Sequence, residues 1–180
     1  GRELIHNVEQ AVYFGKLDGK GHLIVYRKGL ENRSQNPDIR TAYERVAPTI
    51  YALTAAIDAK DNFTFIHSMN VSKYAVMLAE ALHMTDNDIE VVRVAGMLHD
   101  IGKISIPEHI LKKTEGLTPE EYAIMKTHVE NSIKMIRYLP NMDYVIPAVI
   151  AHHERYDGKG YPRGLKGTGI PLMGRILTCL

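Results

Sequence analysis

Apolar positions recur every three or four residues over most of the chain, the spacing that turns one face of an α-helix inward. From Pro37 the stripe is Ala42, Val46, Ile50, Leu53 and Ile57, and from residue 67 a second face is Val71, Tyr74, Ala75, Leu78 and Leu82. Thr85 with Asp88 has the form of a capping box and opens a helix through Ile89, Val92 and Leu98, which Gly102 should end. Thr118-Pro119-Glu120-Glu121 is a second helix start with proline at the first helical position, and its pattern runs on through Ile124, His128, Ile136 and Leu139. Asp143 to Glu154 reads as a further helix, bent or begun at Pro147. Arg155 to Gly169 holds five glycines and Pro162 and reads as a loop. The body is expected to be all-α.

The first 28 residues follow another pattern. Leu17-Asp18-Gly19-Lys20-Gly21 is a turn signal, and His22 to Tyr26 is a β-prone run. One hairpin does not stand alone, so residues 1–28 are expected to be the stump of an upstream domain or an edge decoration. Residues 29–60 then form a connecting helix, and 61–180 the main domain. The chain opens without methionine and closes at Leu180 inside a helical pattern with neither cap nor glycine, so a piece of a longer protein is expected. The stripe from Ala42 to Ile57 allows two outcomes, packing on its own domain or pairing with a second copy. It falls short of the roughly three to four heptads of a coiled coil.

Composition removes several classes of function. The net charge is +1, so there is no basic footprint for DNA or for an anionic membrane. The longest apolar run, Tyr144 to Ala151, is eight residues and contains Pro147, whereas a spanning helix needs about 20. A lone Cys179 excludes an internal disulfide and fits a reducing cytosol. No signal-peptide pattern opens the chain, and a cytoplasmic location is expected. The unusual count is nine histidines, against three phenylalanines and no tryptophan.

Metal-capable residues fall in five places: His67, His99-Asp100, His128, His152-His153 and, less clearly, Asp157. None has the spacing of a single-helix zinc site, so a centre would have to converge from several helices, as in bundle-core metal sites. A lone histidine such as His67 is more often an ordinary hydrogen-bonding residue than a ligand, the class in which His6, His22, His83 and His109 are left. His99-Asp100 closes the apolar face Val92-Ala95-Leu98, where an ionisable pair is costly to bury without partners. Imidazole and carboxylate without cysteine suit Mn, Fe, Zn or Ni. Asp100 has two oxygens and so could bridge two ions, which at about 3.5–4 Å apart form a phosphoryl-transfer centre. Lys103 is placed to meet a phosphate oxygen, or is a lysine favoured by a helix C-terminus.

Taken together, His99-Asp-Ile-Gly-Lys103, Ile104-Ser-Ile-Pro107, Leu117-Thr-Pro-Glu-Glu121, Met125-Lys-Thr-His128 and the run from His152 to Pro162 resemble the HD-GYP family. The resemblance extends from about Ile57 to Leu180 and takes in Gly164-Leu-Lys-Gly167 and Ile170-Pro171. It implies an HD-superfamily helical bundle that hydrolyses cyclic di-GMP with a metal-bound hydroxide, at a binuclear or trinuclear iron or manganese centre. By position, His67, His99, Asp100, His128, His152 and His153 match metal ligands, with Asp100 as the bridge. Lys103 matches a substrate-phosphate contact, and Gly160, Tyr161 and Pro162 match the namesake loop, which could face substrate, face a diguanylate cyclase (GGDEF) partner, or be a surface turn. Pro162 restricts Tyr161 to extended backbone, and Gly158 and Gly160 let the loop turn. Phe63 stands where members with a third metal carry a glutamate, which puts a third ion in doubt. A further family aspartate falls due near Leu180, so this chain is expected to bind metal weakly or to be inactive alone. The alternatives are a regulatory module without turnover and a hydrolase of another cyclic dinucleotide.

Overall fold

A computed structural model describes residues 39–61 and 64–180 of the chain. The turn and β-prone run of the first 28 residues, His6, His22 and Phe63 lie outside them. The helices are α1 (Ile39–Asp61), α2 (Thr64–Ala81), α3 (Asp86–Leu98), α4 (Glu108–Leu111), α5 (Pro119–Lys126), α6 (His128–Ile136), α7 (Ile146–Ala151) and α8 (Leu172–Thr178), with 3-10 turns at Ile101–Ser105, Asp143–Val145 and Gly167–Gly169. Among the described residues there is no strand, as the helical periodicity requires.

The bundle is centred on α2 and α3. Gly96 lets α3 approach so closely that a β-carbon there would overlap the backbone of Ser72, and the Ser72 hydroxyl donates to the Arg93 carbonyl at 2.8 Å. Val92 and Leu98 are fully buried between the elements, together with Ile50 and Ile57 of α1. The α1 stripe therefore packs inside the chain. Val46, Ile50 and Ile57 are buried within this one copy, so the stripe that suggested a homodimer has an intramolecular partner, and a second copy would have to meet a different face. The α2 face also differs from expectation. Val71 and Ala75 are buried, but Tyr74 and Leu82 are half-exposed, because Ser68, Ser72, Val76 and Ala79 complete the inward stripe.

Both helix starts are where the sequence places them. Thr85 caps α3 through the Asp88 amide, and Thr118 and Glu121 form the reciprocal capping box of α5. Three ends differ. The α3 helix stops at Leu98, with His99 as its cap, so Gly102 lies beyond it in the following 3-10 turn. The run from Pro119 to Leu139 is two helices, broken at Thr127, where the Thr127 hydroxyl donates to the Ile124 carbonyl and the His128 ring to that of Met125. The helix expected from Asp143 to Glu154 is a 3-10 turn followed by α7, with Pro147 in its first turn, and it ends before His152. Each of these breaks delivers a histidine, so the irregularities build the site.

At its far end α1 reaches the site's supports. The Lys60 ammonium donates to the carbonyls of Ile104, at 2.7 Å, and Ile106, just past Lys103, and Asp58 accepts from the Phe65 amide at 3.1 Å, two residues before His67. No helix among the described residues is long and apolar enough to cross a membrane.

Candidate metal centre

Asp100 is the centre of the site. It leaves the end of α3 through His99, with φ −106° and ψ 3°, and is almost completely buried. The segment is pinned from α6: Ser132 donates its hydroxyl to the His99 carbonyl at 2.8 Å and accepts from the Gly102 amide at 2.8 Å. Gly102 has no room for a side chain, since a β-carbon there would collide with the His128 carbonyl and the Ser132 amide. This glycine thus brings the aspartate and His128 onto one spot.

Three histidines reach it by the same device. The Nδ1 of His99 lies 2.7 Å from the Gly96 carbonyl, that of His128 2.7 Å from Met125, and that of His152 2.5 Å from Val149. A carbonyl oxygen only accepts, so each Nδ1 carries a proton and each Nε2 is turned inward. On one side of the carboxylate, His128 Nε2 lies 3.3 Å and His152 Nε2 3.9 Å from Oδ1, and the two nitrogens are 3.3 Å from each other. On the other, His99 Nε2 lies 3.2 Å and His67 Nε2 4.0 Å from Oδ2. His153 completes the first group through ring contacts with His152 and His128. The ligating atoms of Asp100, His128, His152 and His153 thus form one cluster, and those of His67, His99 and Asp100 a second; each falls within 4.8 Å, and Asp100 belongs to both.

Electrostatics favour a cation here. Burial pushes the Asp100 carboxyl up, but the His99 ring and then the Lys103 ammonium outweigh it and hold the group well below the usual carboxylate range. Burial pushes His128 and, more strongly, His152 down, and takes His153 down to about 4, in each case against the attraction of Asp100. The imidazoles facing Oδ1 are therefore neutral, and acceptor lone pairs of His128, His152 and Asp100 converge with no donor among them. A metal ion would supply the missing positive partner. Neutral imidazole and ionised carboxylate are also the ligand forms that need no proton removed on binding.

The structure brings together all six residues expected to ligate, but Asp157 is elsewhere, on the surface and paired with Arg155 at 2.7 Å. Lys103 lies against the aspartate itself, with Nζ 2.8 Å from Oδ2. Tyr161 stacks on His153 with ring centroids 4.7 Å apart and planes 23° from parallel, which brings the Gly160-Tyr161-Pro162 loop to the edge of the cluster. Gly160 is required there, because a β-carbon would collide with the backbone of Glu154 and Arg155. Burial and the neighbouring Tyr122 push the Tyr161 phenol above its ordinary range.

Glu154 is the residue whose role the sequence reading missed. It is fully buried, and its two carboxylate oxygens accept from the amides of Arg163, at 2.6 Å, and Leu165, at 2.9 Å, tying the loop to the end of α7. The signal was a carboxylate directly after an apolar run and the His152-His153 pair. Glu154→Ala is expected to lower stability by about 1.5–3 kcal/mol, the scale of hydrogen bonds to a charged group, and to open residues 155–165 to proteases. Thermal unfolding and limited proteolysis check this, and unchanged values in both would show that the loop holds itself.

A helical bundle with histidines from several elements converging on one shared aspartate defines a metal-site class of α-helical protein. A family model for the HD domain matches residues 48–180. The chain belongs to that family and within it is of the HD-GYP type. It is 38% identical over 136 residues to the cyclic di-GMP phosphodiesterase response regulator RpfG of Xanthomonas campestris, covering 74% of this chain and 36% of the relative. It is 34% identical over 180 residues to 3′3′-cGAMP-specific phosphodiesterase 2 of Vibrio cholerae, covering 94% and 34%. A cyclic di-GMP phosphodiesterase of Thermotoga maritima is 41% identical over 120 residues, covering 66% and 33%. The chain spans about a third of the length of these relatives.

Proposed function

We propose that this chain is the phosphodiesterase portion of a signalling protein that hydrolyses cyclic di-GMP in the cytoplasm. The observation that carries it is the shared Asp100, which belongs to both candidate ligand groups and would join them into one two-ion arrangement. His128, His152 and His153 would hold one ion and His67 and His99 the other, with Asp100 between them. Two divalent ions, iron or manganese in this reading, supply Lewis acidity toward a phosphoryl oxygen and acidify water. The protein's own part is to exclude bulk water with Leu98 and Ile101 packed behind the ligands, to fix each ring by its Nδ1 bond, and to offer Lys103 to a phosphate oxygen. Tyr161, seated on His153, forms the wall beside the substrate. The convergence of all six expected ligands argues against the reading as a regulatory module without turnover.

In this reading residues 61–180 are the catalytic domain, 29–60 the connecting helix and 1–28 the remnant of an upstream domain. In this reading a cyclase partner would meet the Gly160-Tyr161-Pro162 loop, as the resemblance implies, and a second copy would meet a face of α1 other than its buried stripe. The 3′3′-cGAMP-specific relative aligns with more of this chain than the other two, so that substrate is the second reading. The test is metal analysis with turnover of both cyclic dinucleotides, on the full-length protein reconstituted with iron or manganese. Metal-dependent hydrolysis with a higher kcat/KM for cyclic di-GMP is expected. A higher value for 3′3′-cGAMP selects the second reading, and a metal-loaded chain that hydrolyses neither overturns both.

A further inference from the structure

Three cations near the loop have carboxylate partners. Lys113 pairs with Glu121, Arg155 with Asp157 at 2.7 Å, and Arg163 with Glu130 at 3.0 Å. Lys126, at the end of α5, makes no ion pair or hydrogen bond among the described residues. Its ammonium instead stands 5.0 Å from the centroid of the Tyr122 ring and 5.9 Å from that of Tyr161. The two rings meet edge to face at 6.2 Å, and Tyr161 in turn stacks on His153. A half-buried cation is thus fixed one tyrosine away from the proposed metal centre, on the side of the namesake loop.

Aromatic faces attract an ammonium through the ring quadrupole and use none of its N–H groups. The three donors of Lys126 are therefore positioned and still unmatched, which suits an anion of several oxygens. A cyclic dinucleotide carries two phosphodiesters, held apart by a ribose on either side of the ring. When one lies at the metals, the other must lie a short distance off, and its charge needs a partner other than Lys103, which is assigned to the phosphate at the metals. Tyr161 joins the two places: one ring is stacked on a ligand histidine and also lies under the second cation.

We propose that Lys126, seated on Tyr122 and Tyr161, is a second anion subsite that takes the non-scissile phosphate of a cyclic dinucleotide. This rests on the phosphodiesterase reading and adds a substrate-binding role for α5. It also explains why Tyr122 is exposed beside the site, since the ring is a seat for the cation and not part of the core.

The test compares a substrate with two phosphodiesters, cyclic di-GMP, with one that has a single phosphodiester, bis(p-nitrophenyl) phosphate, on the metal-loaded chain. Lys126→Met is expected to raise KM for cyclic di-GMP, so that kcat/KM on it falls about 10- to 100-fold further than on the single diester, the scale of a lost charged hydrogen bond. Lys126→Arg should restore most of the loss. Equilibrium binding of a hydrolysis-resistant phosphorothioate analogue of cyclic di-GMP should weaken by a similar factor. Equal losses on both substrates, or no loss on cyclic di-GMP, overturn the subsite. A wild-type chain that turns over neither substrate overturns the phosphodiesterase reading itself, and the subsite with it.

Discussion

Asp100→Ala is expected to lose bound metal and hydrolysis together, with turnover down on the order of 10³-fold or more, beyond what one missing electrostatic contact usually costs. Both candidate ligand groups contain this carboxylate, so its removal would take one ligand from each of two ions and, among the described residues, the one carboxylate the two groups share. The fold itself does not depend on the side chain, because the backbone of this turn is fixed by Ser132 and by the Lys103 amide bonded to the Asp100 carbonyl at 2.9 Å. Asp100→Asn sharpens the test. Its amide can donate to the inward Nε2 of His128, which has no donor among the residues around it. The asparagine variant should therefore remain folded when metal-free, while holding less metal than the parent. Elemental analysis and thermal unfolding on the same preparations read both effects. If Asp100→Ala keeps two ions, Asp100 is not the bridge.

The residues that carry this prediction were legible in the sequence because they interrupt a pattern. His99-Asp100 and His152-His153 each end an apolar helical face, where a polar group must have a partner, and His128 follows a capped helix start. Helix starts could be placed because a cap needs only local residues, Thr85 with Asp88 and Thr118 with Glu121. Helix ends were misplaced by up to four residues, since what stops α3 at Leu98 is the ring of His99 binding the carbonyl of Gly96 and the grip of Ser132, 30 residues on, upon Gly102. Contacts across such distances have no signature in periodicity. The same limit hid Glu154, whose partners are amides that any residue could provide, and let Tyr74 and Leu82 pass for core when the small residues Ser68, Ser72 and Ala79 face inward instead. The α1 stripe was read correctly as a packing face, and only three-dimensional contact could decide between its own bundle and another copy.

Lys103→Ala should fail differently from Asp100→Ala. Lysine offers donors only and cannot ligate a metal while charged, so the variant should keep its ions and its helical content. In the structure the Lys103 ammonium bonds Asp100 Oδ2 at 2.8 Å and is partly exposed, a cation at the mouth of the site and not one sealed within it. Its backbone is secured without the side chain: Lys60 binds the carbonyls of Ile104 and Ile106 on one side and Ser132 binds Gly102 on the other. In the proposed function the substitution removes a charge available to phosphate oxygens, whose negative charge would grow as the diester is attacked. A contact of that kind is worth on the order of 2–4 kcal/mol, so kcat should fall about 10²- to 10³-fold. Lys103 also helps hold the Asp100 carboxyl in its ionised form, and metal would take over that role in the loaded protein. Metal content and rate measured on one preparation therefore separate the two functions. A Lys103→Ala chain that loses its ions along with its activity would make Lys103 a support for Asp100 and remove it from the substrate contact.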